Sequence, residues 1–312
     1  MLVNEFQKTI KDILYGEKGH GLSIYCCLKK DGVFSLKRFN VKDEFRADIN
    51  NLIANSISSQ FLSEDAVYDS VDNVSDDSNV LYLIESTKHY NPFKFLAISK
   101  SSDENFTEND REYLFGFVFY FSIDSKVLWA YQHVYPTSIS KKLNGLFAVI
   151  GNESIFDKID NKKIFCIESR VDIVVIGKTI CPGKIKILEQ YFGFEVYIRS
   201  EAQRTIEIIE ETKLIKNIEK FNTFIAKAKL TNAKKLLKIK NSPILAMSAN
   251  IVTQRISEIP RYGNIKIENK QIIVETEKDI VGILKMLNDD FLRSELSQKE
   301  YDSPSKKILP DS

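Results

Sequence analysis

Between residues 213 and 240 the chain carries nine lysines, at 213, 216, 220, 227, 229, 234, 235, 238 and 240, and one acid, Glu219. A row of ammonium groups suits one chemistry above others, the neutralisation of nucleic-acid phosphates. Affinity then comes from counterion release and carries little sequence preference. Lysine dominates over arginine, so the planar, bidentate contacts that read base edges are not favoured. At about 100° per residue, a helix would gather Lys213, Lys216, Lys220 and Lys227 within roughly a 60° arc. Leu214, Ile218, Phe221 and Ile225 would fill a similar arc on nearly the opposite side. The expected DNA contacts are Lys213, Lys216, Lys220, Lys227, Lys229, Lys234, Lys235 and Lys238. A plain solvated helix face has the same composition, and the scarcity of acids along this stretch weighs against it without deciding between the two.

A second group, Asp289, Asp290, Glu295 and Lys306, could hold Mg²⁺ and activate water, as in a metal-dependent nuclease. The ordinary alternative is a helix end whose charges pair with each other, Asp290 with Arg293 three residues on. The ordinary reading is preferred. Upstream, Glu168 and Asp172 are the only acids resembling a nuclease strand, and no lysine follows at the right offset. No catalytic residue and no cofactor is therefore expected; the alternatives are nuclease action by the C-terminal acids, or a non-enzymatic adaptor whose basic face meets protein or anionic lipid. His20, His89 and His133 are scattered, and His133 reads as a core residue. Gly177-Lys178-Thr179 ends like a phosphate-binding loop but lacks the upstream glycine. Cys26, Cys27, Cys166 and Cys181 show no zinc-ligand spacing and read as buried free thiols of a reduced cytosol.

These residues need elements to hold them. Helices are expected at 4–15 and 41–58, with strands at 22–28 and 33–39 around a Lys-Asp-Gly turn. Residues 63–78, with six acids and no base, read as a mobile surface loop. Strands 80–85, 113–123 and 127–134 follow. The middle one is apolar on both faces (Phe115, Phe117, Phe119 and Phe121 alternating with Gly116, Val118 and Tyr120) and should be central and buried. Residues 151–161 are polar and form the expected domain boundary. Strands at 163–168 and 171–177 and a turn at Cys181-Pro182-Gly183 come next. One long helix is expected from about 201 to 230, and a shorter one from 231 or 232. A hairpin turns at Asn269-Lys270, and Thr276 with Asp279 reads as the capping box of a last helix.

The fold class is α/β (α+β): two domains of mixed sheets with packed helices, and a helix-rich C-terminal half. The boundaries are 1–157, acidic, and 158–312, basic. Residues 1–160 carry 17 Lys+Arg against 23 Asp+Glu, and residues 161–312 carry 27 against 20. A strongly charged partner would prefer one half. The longest apolar run, 113–121, is about half a membrane span. The N-terminus lacks the order of a signal peptide. A cytoplasmic protein is expected, reaching the inner membrane only through a partner.

The stretch Leu287-Asn288-Asp289-Asp290-Phe291-Leu292-Arg293-Ser294-Glu295-Leu296, then Tyr301 and Ser305-Lys306, resembles the closing signature of the bacterial KwaB family of the Kiwa anti-phage system. The chain departs at Ser297-Gln298, where that family has Thr-Gly. The resemblance extends more loosely over the second half, through Asp172, Ile176, Phe194-Glu195 and the helix after Glu201. It implies an antiviral effector that binds phage DNA and interferes with replication and transcription. It also implies a homodimer and a small membrane partner of the KwaA type. The acidic loop 63–78 is a candidate contact for that partner.

Overall fold

A computed structural model describes residues 1–17, 19–74, 80–98, 104–135, 148–150, 156–158, 167–227, 230–259, 262–293, 296 and 299–302. The chain divides into two compact units, residues 1–69 with 77–188, and residues 70–76 with 189–312.

The first unit is an eight-stranded sheet with its two long helices packed on one face. Its elements are α1 (Val3–Tyr15), β1 (Gly21–Lys30), β2 (Val33–Arg38), α2 (Asp43–Phe61), β3 (Val67–Ser70), β4 (Val80–Glu85), α3 (Phe95–Ile98), β5 (Leu114–Ile123), β6 (Lys126–His133), β7 (Ala148–Ile150), β8 (Phe156–Lys158), β9 (Ile173–Ile176), β10 (Thr179–Pro182) and α4 (Ile185–Tyr191). The strand order is β2-β1-β5-β6-β9-β10-β4-β3, and β7 pairs with β8 separately. Neighbours from β2 through to β4 run antiparallel. Asp31-Gly32, both at positive φ, turns β1 into β2 with Lys30 opposite Val33. That is the two-residue geometry favoured by strand twist.

Strand β5 lies third from one edge, and Phe117, Val118, Phe119 and Phe121 on it are all buried. Both faces are covered, which is why the strand is apolar throughout. On one face Phe6, Ile10 and Ile13 of α1 and Ile49, Ile53 and Ile57 of α2 pack over Phe117, Phe119, Leu128, Ala130 and Val174. Gly116 on β5 is required by its neighbour, because a Cβ there would collide with the Tyr131 ring. Cys26, Cys27 and Cys181 are buried free thiols, and burial raises the pKa of each. Cys166 lies outside the described residues.

The second unit is helical: α5 (Phe194–Glu211), α6 (Ile218–Lys227), α7 (Leu230–Ile239), α8 (Ala249–Glu258), the hairpin β11 (Ile267–Glu268) and β12 (Gln271–Ile272), and α9 (Glu277–Leu287), then a second hairpin, β13 (Phe291–Arg293) with β14 (Glu300–Asp302). Phe194, Ile198, Ile206, Phe221, Leu236, Leu237, Ile283 and Leu284 are buried in it. Thr276 and Asp279 form the expected capping box on α9. The backbone N–H of Thr276 leads the bonds that hold the Asp279 carboxyl below its usual range.

Three expectations differ from the structure. The units do not part at residue 157, because β9 pairs with β6 and β10 with β9 and β4, so the first sheet runs on through Pro182. The polar stretch 151–161 lies largely outside the described residues; of it, Phe156–Lys158 form β8. Cys181-Pro182 is strand rather than turn; the turn falls at Gly177-Lys178, where Ile176 faces Thr179. Within the acidic loop, β3 and a 3₁₀ turn at Val71–Asn73 are formed, while residues 75–78 lie outside the described residues.

Candidate nucleic-acid interface

The lysine row is not one helix. Helix α5 ends at Glu211, and Lys213 takes a left-handed conformation. The Thr212 hydroxyl accepts from the Leu214 N–H at 3.2 Å, turning the chain out of the helix. The next residues bond to β12 instead: Ile272 N–H donates to the Leu214 carbonyl (2.8 Å), and Lys216 N–H donates to the Ile272 carbonyl (3.0 Å). Asn217 closes the join, donating to the Val274 carbonyl (2.5 Å) and accepting from its N–H (2.9 Å). The helix restarts at Ile218 because Ile218, Phe221 and Ile225 again recur at helical spacing and are buried. Tertiary bonding has therefore overridden helical periodicity across residues 212–217.

The predicted lysines then separate. Lys213, Lys216, Lys220 and Lys227 are exposed, and Lys235 and Lys238 are half-buried. Lys234 points the other way: it is buried and paired with Glu189 at 2.8 Å, a contact within the second unit. Lys240 reaches the buried Glu201 on α5 at 3.5 Å. Lys216 shares its charge with Glu268 at 3.1 Å. Lys229 lies outside the described residues. Among the described residues Lys213, Lys220 and Lys227 form no salt bridge. Lys220 and Lys227 rim a cavity of about 330 Å³ together with Glu219, Phe224, Glu275 and Glu277.

Asp289 and Asp290 are placed in different environments. Helix α9 ends in a Schellman turn: Asp289 is left-handed, its N–H donates to Met286, and the Asp290 N–H donates to Lys285 at 2.9 Å. Asp289 is exposed, while Asp290 is fully buried and accepts a bond from the Asn288 side chain. Arg293 is on β13, so the expected helical pairing with Asp290 has no helix to sit on. Glu295 and Lys306 lie outside the described residues. Among the described residues no group of three or more His, Cys, Asp and Glu is placed to hold a metal ion.

Sequence reading missed Arg170. Its Nε donates to Glu168 (2.6 Å), Nη1 to Asp172, and Nη2 to the His133 carbonyl (2.5 Å). The guanidinium stacks 4.8 Å from the Tyr135 ring. Gln132 donates to the carbonyls of Glu168 (2.8 Å) and Arg170 (2.6 Å). Asp172 also accepts the His133 N–H at 2.6 Å. Burial raises the Asp172 pKa against the pull of Arg170. Burial, then the Arg170 charge, pushes His133 down to about 4, so its ring is neutral at pH 7 and shares a proton with the Tyr131 hydroxyl at 3.1 Å. Glu168 and Asp172 are thus engaged in an ion-pair knot joining β6 to the segment leading into β9. The alternation Glu-x-Arg-x-Asp, which sets three charges on one side of an extended chain, was the signal available.

No helix among the described residues is long and apolar enough to cross a membrane. No solved structure matches the chain. Kiwa protein KwaB of Escherichia coli O55:H7 (strain RM12579 / EPEC) is 21% identical over 259 residues, covering 80% of this chain and 82% of that protein. The model of a family described as Kiwa protein KwaB-like matches residues 111–297, a span holding β5, the Arg170 knot, the lysine-bearing helices and α9, and the chain belongs to that family.

Proposed function

We propose that this protein is an anti-phage effector that binds DNA through its second unit, largely without sequence preference. Membership of the KwaB-like family supports the defence role. The observation that carries the binding reading is the exposure of Lys213, Lys216, Lys220 and Lys227 within fifteen residues of chain. The ligand is phage DNA, and its occupation blocks replication and transcription without cleavage. The protein works in the cytoplasm as a homodimer and reaches the inner membrane through a small KwaA-like membrane protein.

Four exposed lysines neutralise about four phosphates, which gives log K a slope near −3.6 against log salt. Fluorescence anisotropy on a duplex over a salt series measures it. Changing Lys213, Lys216, Lys220 and Lys227 to Glu should weaken binding at least about a hundredfold at low salt while leaving the thermal midpoint in place. A slope near zero, or unchanged affinity in that variant, removes the proposal. Lys234 is left out of the set because it is buried in its pair with Glu189.

A further inference from the structure

The sheet face away from α1 and α2 carries a second cavity, of about 290 Å³. Its floor comes from three adjacent strands in register: Trp129 on β6 faces Val175 on β9, which faces Ile180 on β10. Val127 extends the floor, and Phe93 of the segment after β4 and Leu96 of α3 wall it. That segment is held down where the Ser86 N–H donates to the Lys178 carbonyl at 2.8 Å. Lys178 is thereby fixed at the β9–β10 turn, on the cavity's rim. Lys94 stands on the loop side, in a turn closed by its N–H on the Asn91 carbonyl at 3.4 Å. Both lysines are exposed and neither forms a salt bridge with a described residue. The lining contains no acid.

An apolar, aromatic floor with a few polar groups at its edge is the usual form of a small-molecule site. The two ammonium groups set the sign of the ligand's charge, and the indole and phenyl surfaces favour a planar body. We infer that this cavity binds a mononucleotide, its base against Trp129 and Phe93 and its phosphate between Lys94 and Lys178. The inference is independent of DNA binding by the second unit. It also gives Lys178 a role unrelated to a phosphate-binding loop, since Gly177-Lys178 joins two strands and opens no helix.

Trp129 is the only tryptophan of the chain, so the indole fluorescence comes from the floor of this cavity. The full chain is titrated with adenosine monophosphate, and separately with adenosine and with inorganic phosphate. A saturable change is expected with the nucleotide and not with either part at the same concentrations. Lys94→Glu with Lys178→Glu should weaken it at least about tenfold, a loss of about 1.4 kcal/mol, with the thermal midpoint kept. Lys220→Glu with Lys227→Glu should leave it intact. No saturable change, an equal response in the Lys94/Lys178 variant, or loss of the response in the Lys220/Lys227 variant overturns the assignment.

Discussion

The Arg170 knot and the lysines of residues 213–227 are both rich in charge, and they use it in opposite ways. Around Arg170 two carboxylates, a main-chain carbonyl and an aromatic ring surround a single guanidinium. On the second unit Lys213, Lys220 and Lys227 keep their ammonium groups in solvent. The difference shows that charge becomes architecture where desolvation obliges each group to find partners, and stays available where it does not. Lys234 makes the point within a single stretch: four residues from the half-buried Lys238, it is buried against Glu189 and belongs with the knot in kind.

The largest effect separating the two regions should come from Arg170→Ala. It leaves Glu168 and Asp172 beside each other without their cation, and should cost about 3–5 kcal/mol in denaturant unfolding. A loss under about 1 kcal/mol would mean that water already serves those carboxylates. Next is pH. His133 has its folded pKa at about 4, below the ordinary value of 6.5. The unfolded chain therefore takes up the proton first, and stability falls as pH drops from about 6.5 to about 4, by up to about 3 kcal/mol. The raised Asp172 pKa works in the opposite direction, since the folded state holds that proton more tightly as pH falls. His133→Gln should flatten the thermal midpoint between pH 6.5 and 4 relative to the parent; identical pH profiles would assign the loss to other groups. The smallest effect is expected for Lys220→Ala with Lys227→Ala, within about 0.5 kcal/mol of the parent in stability, while DNA affinity drops. A large stability loss there would move these lysines into the structural class.

Much of the first unit was legible. The Asp31-Gly32 hairpin follows from local turn chemistry, and the burial of β5 from its unbroken apolar run. The capping box at Thr276 is likewise local, three residues closing on themselves. The continuous helix through 201–230 failed because Ile272, more than fifty residues on, bonds the main chain of Leu214 and Lys216, and Val274 bonds the side chain of Asn217. The boundary at 157 failed for a related reason. Strand pairing is non-local, and nothing in residues 173–182 by themselves says that their partners are β6 and β4.

By itself, then, the sequence determined which segments are strongly amphipathic, where the Asp31-Gly32 turn and the Thr276 cap fall, that the second half is basic, and, through its closing residues, the family. Those features depend on neighbours within a few positions or on composition. Tertiary structure alone decided which lysines face water, that Glu168 and Asp172 meet Arg170, that Asp290 is buried apart from Asp289, and that Trp129 and Lys178 share a cavity. Exposure and pairing are properties of the packed chain, because desolvation and ion pairing depend on neighbours that sequence distance does not specify.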